Sequence, residues 1–531
     1  MKKKQCQTGV YKVITIGAAL VLTWMCATVG SAAPAAPAGE IRLAMTTPGT
    51  ETMDPVLSHN SGKPMITPFY DYIIGVSPDG KLSKDTGVAR DWKLSPDSMR
   101  LTIYVRPGIK FHNGDQLTAE DVKFSLEQFI SERCVSSQVG QMRKIIEKVD
   151  ILDPMTVVIH CKKPSAVLAN FLSRQMGVEG AVLPKKYFEA HGAEYFNTHP
   201  VGSGPYKFVE HKTGSHVKFE AADYPHWLVG VPKVKYLTYY FVKEESTRIA
   251  MLKTGEADIA EISRDRIKEV PKHRPYEKKG HGVLALYVNN TWDRNTYLSN
   301  AKFREALSIS INREEIRDYI LGGKAQITGS GMVYGSYALD YKPLPAHSYD
   351  PERAKQLVNE AFPGKVPEIT MYAFSRPGVS ELPRIGEAIA GYWSKIGVKT
   401  KIIPSDYPTY RKLLVAKDSP KLANSVAPMV YGNRLLWDAA FNIAYHSRGM
   451  LSCVKDPEVD RMIDELIAEK DPTKIGPRSH ELAVYLNKQF YQIPIVEVGA
   501  IYAADPKKAP AWSHLSSPLA YDLYFDDLYV R

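Results

Sequence analysis

Cysteine is scarce in this chain, with five residues among 531. Cys134, Cys161 and Cys453 are the three that follow residue 38, and none of them stands in a Cys-x-x-Cys pair. This scarcity excludes a disulfide-rich scaffold and the usual structural zinc sites. Three thiols allow at most one disulfide, and the sequence leaves open whether it forms.

Long apolar runs and blocks of one charge are also missing after residue 38. No stretch there approaches the roughly 18 apolar residues of a membrane-spanning helix. The formal net charge is +10. Four of those charges are lysines in the first 38 residues, which contain no acidic residue, so the remainder carries +6 (10 minus 4). Its lysines are scattered, and we therefore expect no nucleic-acid binding.

No catalytic or metal-binding motif is complete. His480 and Glu481 begin like a zinc-protease helix, but Val484 stands where the second histidine ligand is needed. The serines within Gly202–Gly204 and Gly329–Gly331 lack the Gly-x-Ser-x-Gly spacing of a nucleophile elbow. We therefore predict no catalytic residue, no protein-held metal and no cofactor.

The first 38 residues are typical of a secretory signal peptide. Lys2, Lys3, Lys4 and Lys12 precede an apolar run, and small residues follow it. Cleavage is expected between residues 32 and 38. The alternative is an uncleaved membrane anchor, but the run is short for a span and its small-residue tail favours cleavage. The 493 residues that follow (531 minus 38) exceed one ordinary core, so two or three lobes are expected.

The most informative stretch is residues 98–129. Leu101, Ile103 and Val105 alternate with polar residues, which predicts a strand with one buried face. Thr118 and Asp121 have the spacing of a capping box and predict the start of a helix. Taken alone, a strand, a turn and a capped helix would fit any mixed α/β domain.

The amino-acid sequence of this stretch resembles the signature of family 5 extracytoplasmic solute-binding proteins. These are the peptide, dipeptide, nickel and opine receptors of ABC importers. The resemblance rests on Gly-Ile-Lys-Phe-His-Asn-Gly at 108–114 and on Leu-Thr-Ala-Glu-Asp-Val at 117–122. Ala-Arg-Asp-Trp at 89–92 and Gly-Ser-Gly-Pro-Tyr at 202–206 are further landmarks. We expect Gly202 and Gly204 to be needed only for the conformational freedom of a tight turn.

The resemblance implies an α/β fold, namely a two-lobed periplasmic binding protein of type II with an extra subdomain and a hinge between the lobes. It places a discontinuous lobe I at 39–75, 200–281 and 497–531, the extra subdomain at 76–199, and lobe II at 282–496. The expected function is capture of a peptide-like or other small organic solute in the interlobe cleft.

The same resemblance implies a monomer in the periplasm that delivers its solute to the membrane subunits of an ABC permease. The competing class is a secreted hydrolase that acts on peptide-like substrates. It predicts turnover of the bound molecule, whereas a receptor returns its ligand unchanged. A third class, a chemoreceptor adaptor or chaperone on the same fold, predicts that deletion leaves uptake intact.

The candidate ligand-binding residues also follow from the resemblance. Arg376, after the predicted strand that begins at Ile369, matches the arginine that receives the ligand carboxylate in dipeptide receptors of the family. A guanidinium suits that task because it donates two parallel hydrogen bonds and stays charged. The alternative is an arginine in a surface ion pair.

A second segment, 428–438, departs from the family pattern. Peptide receptors place an aspartate for the free ammonium where this chain has Asn433, and Arg434 next to it would repel an ammonium. Asp438 could substitute only if the loop folds differently. We therefore predict a ligand with an anionic group and no ammonium at this position. Tyr431 and Trp437 are candidate aromatic walls, with a place in the core as the alternative.

Two further elements are predicted from periodicity. Residues 303–316 are predicted to form one amphipathic helix. Residues 369–403 are predicted to form a strand, a helix and a second, parallel strand.

Overall fold

The computed structural model describes residues 36–508, apart from 60–61, 78–81, 137–138, 166, 175, 324, 332–343, 377–378, 417–418, 433–436 and 470–471. Among these residues no helix is both long and apolar enough to cross a bilayer. The predictions for the signal peptide and for the C-terminal end of lobe I, beyond residue 508, lie outside the described residues.

The described strands are β1 (Ala38–Met45), β2 (Gly75–Val76), β3 (Leu82–Ser83), β4 (Ala89–Leu94), β5 (Arg100–Val105), β6 (Ile146–Asp153), β7 (Thr156–Cys161), β8 (Tyr206–Lys212), β9 (His216–Ala221), β10 (Val234–Phe241), β11 (Ile259–Glu261), β12 (Arg274–Val288), β13 (Gln326–Ile327), β14 (Glu368–Ala373), β15 (Lys399–Pro404), β16 (Ser425–Gly432) and β17 (Gln492–Ala504).

The described α-helices are α1 (Lys63–Ile66), α2 (Ala119–Ile130), α3 (Val139–Ile145), α4 (Leu168–Phe171), α5 (Lys185–Thr198), α6 (Glu245–Thr254), α7 (Ala301–Ile309), α8 (Arg313–Glu315), α9 (Pro351–Ala361), α10 (Leu382–Lys395), α11 (Tyr407–Ala416), α12 (Trp437–Ala444), α13 (Pro457–Ala468) and α14 (Pro472–Lys488). Short 3-10 turns and one π-helical segment, Ile316–Ile320, complete the helical structure described.

One large sheet runs through the molecule. Its strands have the order β15-β14-β16-β12-β17-β11-β1-β10-β9-β8, with β13 paired to β17. A second sheet, β4-β5-β7-β6, stands apart from it. The large sheet is mixed, since β1 pairs parallel with β10 and β11, whereas β12 and β17 run antiparallel. Helices such as α10 pack on it, and the fold is therefore a layered α/β structure.

Buried apolar side chains gather on either side of the strand pair β12 and β17. The "first core" joins the side chains of β1, β10 and the separate four-stranded sheet, together with a smaller cluster around α6, β11 and residues 262–270. The "second core" comprises the clusters around α7, α10 and β14 and around α11, α13 and β16. The lobe boundaries inferred above stay a prediction, because these clusters do not mark where a lobe begins or ends.

The signature stretch folds as predicted. Leu101, Ile103 and Val105 of β5 are buried, and their neighbours are exposed or half-buried. At the start of α2, the Thr118 N–H donates to the Asp121 carboxylate at 2.9 Å. That contact satisfies one of the backbone donors that a helix start leaves free and fixes the entry of the chain into α2.

The predicted strand, helix and strand at 369–403 are confirmed as β14, α10 and β15, with parallel pairing. The single helix predicted at 303–316 is wrong. α7 ends at Ile309, and the side chain of Asn312 accepts a hydrogen bond from the Glu315 N–H, which begins α8. An asparagine cap thus interrupts an apolar period that continues across the break.

His112 of the signature stretch contacts the landmark at 202–206. Its Nε2 lies 2.9 Å from the Gly204 carbonyl, and its Nδ1 accepts from the Gly202 N–H at 3.2 Å. Both glycines also press against the backbone of Phe69, where a Cβ at Gly202 would lie 2.2 Å from the Phe69 oxygen. Neither has the positive φ of a strained turn, so close approach, not the conformational freedom predicted above, is what requires glycine here.

We expect Gly202→Ala to destabilise the chain by about 2 kcal/mol, because the new methyl group would displace backbone rather than a flexible side chain. Urea unfolding would measure the loss. Gly140→Ala is the matched control, since Gly140 lies exposed in α3 with nothing within 4 Å of its Cβ position. Equal stability of both variants would contradict the packing argument.

Candidate ligand-binding site

Arg376 lies in the loop after β14 and is buried, with 4% of its surface exposed. Its guanidinium carbon stands 3.5 Å from the centroid of the Tyr407 ring, at the first residue of α11. At that distance the cation lies over the face of the ring in a cation–π contact, which helps to hold the guanidinium in place. A surface ion pair, the alternative considered above, does not fit this burial.

Aromatic rings support the stacked pair. Phe374 packs between Tyr407 and Tyr410, with ring centroids 5.9 and 5.1 Å away. Tyr372 packs on Tyr410 at 5.4 Å and donates its hydroxyl to the Lys421 carbonyl. Burial holds the pKa of Tyr410 well above its usual range, so this hydroxyl stays neutral. The Arg376 cation therefore lies against a wall of packed aromatic rings.

Tyr431 comes near the end of β16 and is buried among apolar side chains, with 5% of its surface exposed. Its ring meets that of Tyr287 edge to face at 6.3 Å. Tyr431 thus belongs to the same aromatic cluster as Phe374 and Tyr410. The interpretation of Tyr431 as a ligand wall stays a prediction.

Of the other four candidate residues, the structure describes the backbone of two. Asn433 and Arg434 lie outside the described residues. Trp437 and Asp438 form the first turn of α12, but their side chains are not described. In the chain, Trp437 and Asp438 follow the end of β16, at Gly432, by five and six residues.

Sequence reasoning missed three residues around this site. Tyr407 and Arg411 are four residues apart on α11, so they share one face of the helix. Burial, together with the charge of Arg411, lowers the pKa of His59 to about 4. His59 belongs to the segment that follows β1, and it is neutral at pH 7. No motif marks these residues; only the i, i+4 spacing of Tyr407 and Arg411 is visible in the sequence.

The strand pair β12 and β17 connects the two cores. Tyr276, Ala500 and Tyr502 belong to the first core, whereas Leu284 and Ile493 belong to the second. Pairing runs from Arg274 opposite Ala504 to Tyr287 opposite Gln492, with a register shift between Lys278 and Gly282. Such an irregularity between two cores is where a sheet can bend.

The described residues offer little for covalent chemistry. All three described cysteines are buried free thiols. Burial raises the pKa of Cys453 to about 12, so that it stays protonated and unreactive. No group of three histidine, cysteine, aspartate or glutamate side chains within the described ranges is arranged to hold a metal ion.

The chain matches the family model "Bacterial extracellular solute-binding proteins, family 5 Middle" over residues 85–428. Among curated proteins, it is 28% identical over 360 residues to the glutathione-binding protein GsiB of Salmonella paratyphi A, which covers 67% of each chain.

Solved structures share the fold. The oligopeptide-binding protein AppA of Bacillus subtilis, in complex with a nonapeptide, has a TM-score of 0.80 at 18% identity, covering 93% of this chain and 99% of AppA. The binding protein AgaA of A. tumefacien R10, in complex with agropinic acid, has a TM-score of 0.76 at 21% identity, covering 92% and 98%. At these identities the likeness establishes the α/β binding-protein fold.

Proposed function

Because this chain belongs to the family 5 bacterial extracellular solute-binding proteins, we propose that it captures a peptide-like solute through an anionic group bound by Arg376. As a member of that family, it is an extracytoplasmic substrate-binding component of an ABC importer, and it binds its ligand without converting it. The hydrolase alternative is therefore set aside. The GsiB, AppA and AgaA relatives are described with glutathione, a nonapeptide and agropinic acid, so peptides and organic acids are the solute classes to test.

The observation that carries the proposal is the buried, ring-stacked guanidinium of Arg376. At 4% exposure this guanidinium lies in surroundings of low dielectric constant, where two parallel hydrogen bonds to the two oxygens of an anionic group are strong. Tyr407 helps to hold the guanidinium in place before the ligand arrives. Less ordering entropy is then lost on binding.

At its other end, we expect the solute to carry no free ammonium. Asn433 replaces the aspartate that pairs an ammonium in peptide receptors of the family, and Arg434 adds a positive charge beside it. A free ammonium at this place would lose the counter-ion that the aspartate supplies in those receptors, unless Asp438 takes its role. We therefore expect a blocked or modified amine, or an organic acid without one.

The wider assignment follows the family. The lobes at 39–75, 200–281 and 497–531 and at 282–496 would close around the solute by bending β12 and β17 near their register shift. Closure is favoured only by the contacts that the solute makes in the closed state and not in the open one. We place the mature chain in the periplasm, released from its signal peptide, as a monomer that docks to the permease.

Four forms of one trialanine peptide test this function by calorimetry: both ends free, N-acetylated, C-terminally amidated, and blocked at both ends. The N-acetylated acid should bind most tightly, and amidation should weaken binding about a hundredfold because it removes the charge that faces Arg376. If the amide bound as well as the acid, the anionic site would be wrong. If the free amine bound as well as the acetylated form, the Asn433 argument would fail.

A further inference from the structure

The two cores meet through polar side chains of one short segment, residues 380–384, which we name the docking segment. Its Glu381 accepts hydrogen bonds from the Arg264 backbone N–H at 2.9 Å and from Arg264 Nη1 at 3.0 Å. The two side chains are 0% and 3% exposed. Arg264 belongs to the segment after β11, on the side of the first core, so this buried ion pair joins the two sides.

Ser380 adds a second contact between the cores. Its hydroxyl accepts from Arg248 Nη2 at 2.9 Å and donates to Glu261 Oε1 at 3.0 Å. Arg248 is itself fixed, since its Nε donates to the Glu261 carbonyl at 2.7 Å. The other carboxylate oxygen of Glu261 accepts from the Thr46 N–H at 3.1 Å. The hydroxyl of Ser380 thus enters a network that the first core already holds in place.

Arg384 makes the third contact, one turn into α10. It donates from both terminal nitrogens to Asp265, at 2.5 and 2.6 Å, in the planar fork that a guanidinium forms with a carboxylate. This pair is more accessible than the other two, with side-chain exposures of 41% and 28%. It therefore tolerates substitutions that a fully buried pair would not.

The docking segment is continuous with the proposed anion site. Only three residues separate Arg376 from Ser380, and the Val379 N–H donates to the Arg376 carbonyl at 3.0 Å. Val379, which adjoins the docking segment, is fully buried. Glu381 is the N-cap residue of α10, but its carboxylate makes no capping bond there and reaches Arg264 instead. A displacement of Ser380 or Glu381 would therefore displace Arg376.

A buried ion pair adds little net stability, because the lost hydration of both charges offsets most of their attraction. In the observed alignment of the cores, Glu381 and Arg264 are paired. When one partner is lost, that same alignment buries an uncompensated charge and becomes unfavourable.

We propose that Ser380, Glu381 and Arg384 are positioning residues that align Arg376 against the first core and so set the affinity for the solute without touching it. This inference rests on the proposed role of Arg376. It predicts that binding depends on residues of the first core, Arg264 and Asp265 among them, through the docking segment.

Arg384→Glu tests the inference, because it opposes Asp265 with a like charge. Hydrogen exchange of peptides that contain Arg264 reports the contact directly, since the Arg264 N–H donates to Glu381. In the unliganded full-length chain, we expect that amide to exchange about tenfold faster in the variant. Affinity for N-acetyl-trialanine should fall about tenfold, mainly through a faster off-rate.

The compensating change is Asp265→Lys in the same chain, which should restore both exchange and affinity to within about threefold. Arg353→Glu is the matched control, because Arg353 pairs with Glu360 of the same helix, α9, whose buried face packs in the second core. Unchanged exchange at Arg264 in Arg384→Glu, or no recovery in the double variant, would overturn the inference. Failure of N-acetyl-trialanine to bind the unmodified chain would count against the proposed function, and the exchange of the unliganded chain would still decide the inference.

Discussion

Arg376→Met is expected to abolish most of the affinity for an anionic solute. Methionine fills apolar space beside Tyr407 but offers neither charge nor donors, so the anionic group would lose a desolvated, two-pronged partner. Truncating one side of such a pair costs about 3–4 kcal/mol, or roughly 100- to 1000-fold in the dissociation constant. Calorimetry with N-acetyl-trialanine measures the change directly.

Two further variants separate charge from geometry. Arg376→Lys keeps the charge but loses the flat face that stacks on Tyr407 and the paired donors, so we expect an intermediate loss of about tenfold. Arg353→Met is the matched control, because Arg353 forms an ion pair with Glu360 and both side chains are at least 40% exposed. A normal affinity in Arg376→Met would show that the anion binds elsewhere.

Stability is expected to fall as the pH drops from about 6.5 towards 4. Burial lowers the pKa of His59, His112 and His347 to about 4, with the charges of Arg411 and Arg313 adding to the effect at His59 and His347. In the unfolded chain each would have its ordinary pKa of about 6.5. Between the two values the unfolded chain binds more protons, so the stabilisation is fully present above about pH 6.5 and is lost on acidification.

At pH 5 this linkage amounts to about 2 kcal/mol for each histidine, and it should appear as a lower urea midpoint at pH 5.0 than at pH 7.5. His112→Gln should remove about a third of the difference, because an amide does not titrate and can still meet Gly202 and Gly204. His191→Gln is the control, since His191 is exposed on α5 in the folded chain as it is in the unfolded one. The same pH difference in both variants would refute the assignment to His112.

What the sequence predicted well was local. The strand β5, the cap of α2 and the unit from β14 to β15 each follow from a period or a capping pair within one short window. The helix break at Asn312 was missed because the apolar spacing continues on both sides of it. The glycines of 202–206 were recognised in the sequence. Glycine is required there because both residues lie against Phe69, which is more than 130 positions earlier in the chain.

The site was predicted only in part, for a similar reason. Arg376 was proposed through the resemblance to the family, but the ring that it contacts, Tyr407, lies 31 residues away (407 minus 376). Glu381 and Arg264 are 117 positions apart in the chain. From the sequence alone, such charged side chains are expected at the surface. Only tertiary structure brings such pairs together and removes them from water, so no local pattern could identify them.

The position of β17 in the large sheet has a consequence for the order of folding. This strand lies between β12 and β11, and Ile259 of β11 pairs with Ala504. The side of the sheet that contains β1 and β10 is therefore joined to the rest by a strand some 240 residues further along the chain. Contacts so distant along the chain form slowly. The folding chain consequently keeps an open sheet edge at β11 until β17 has paired with it.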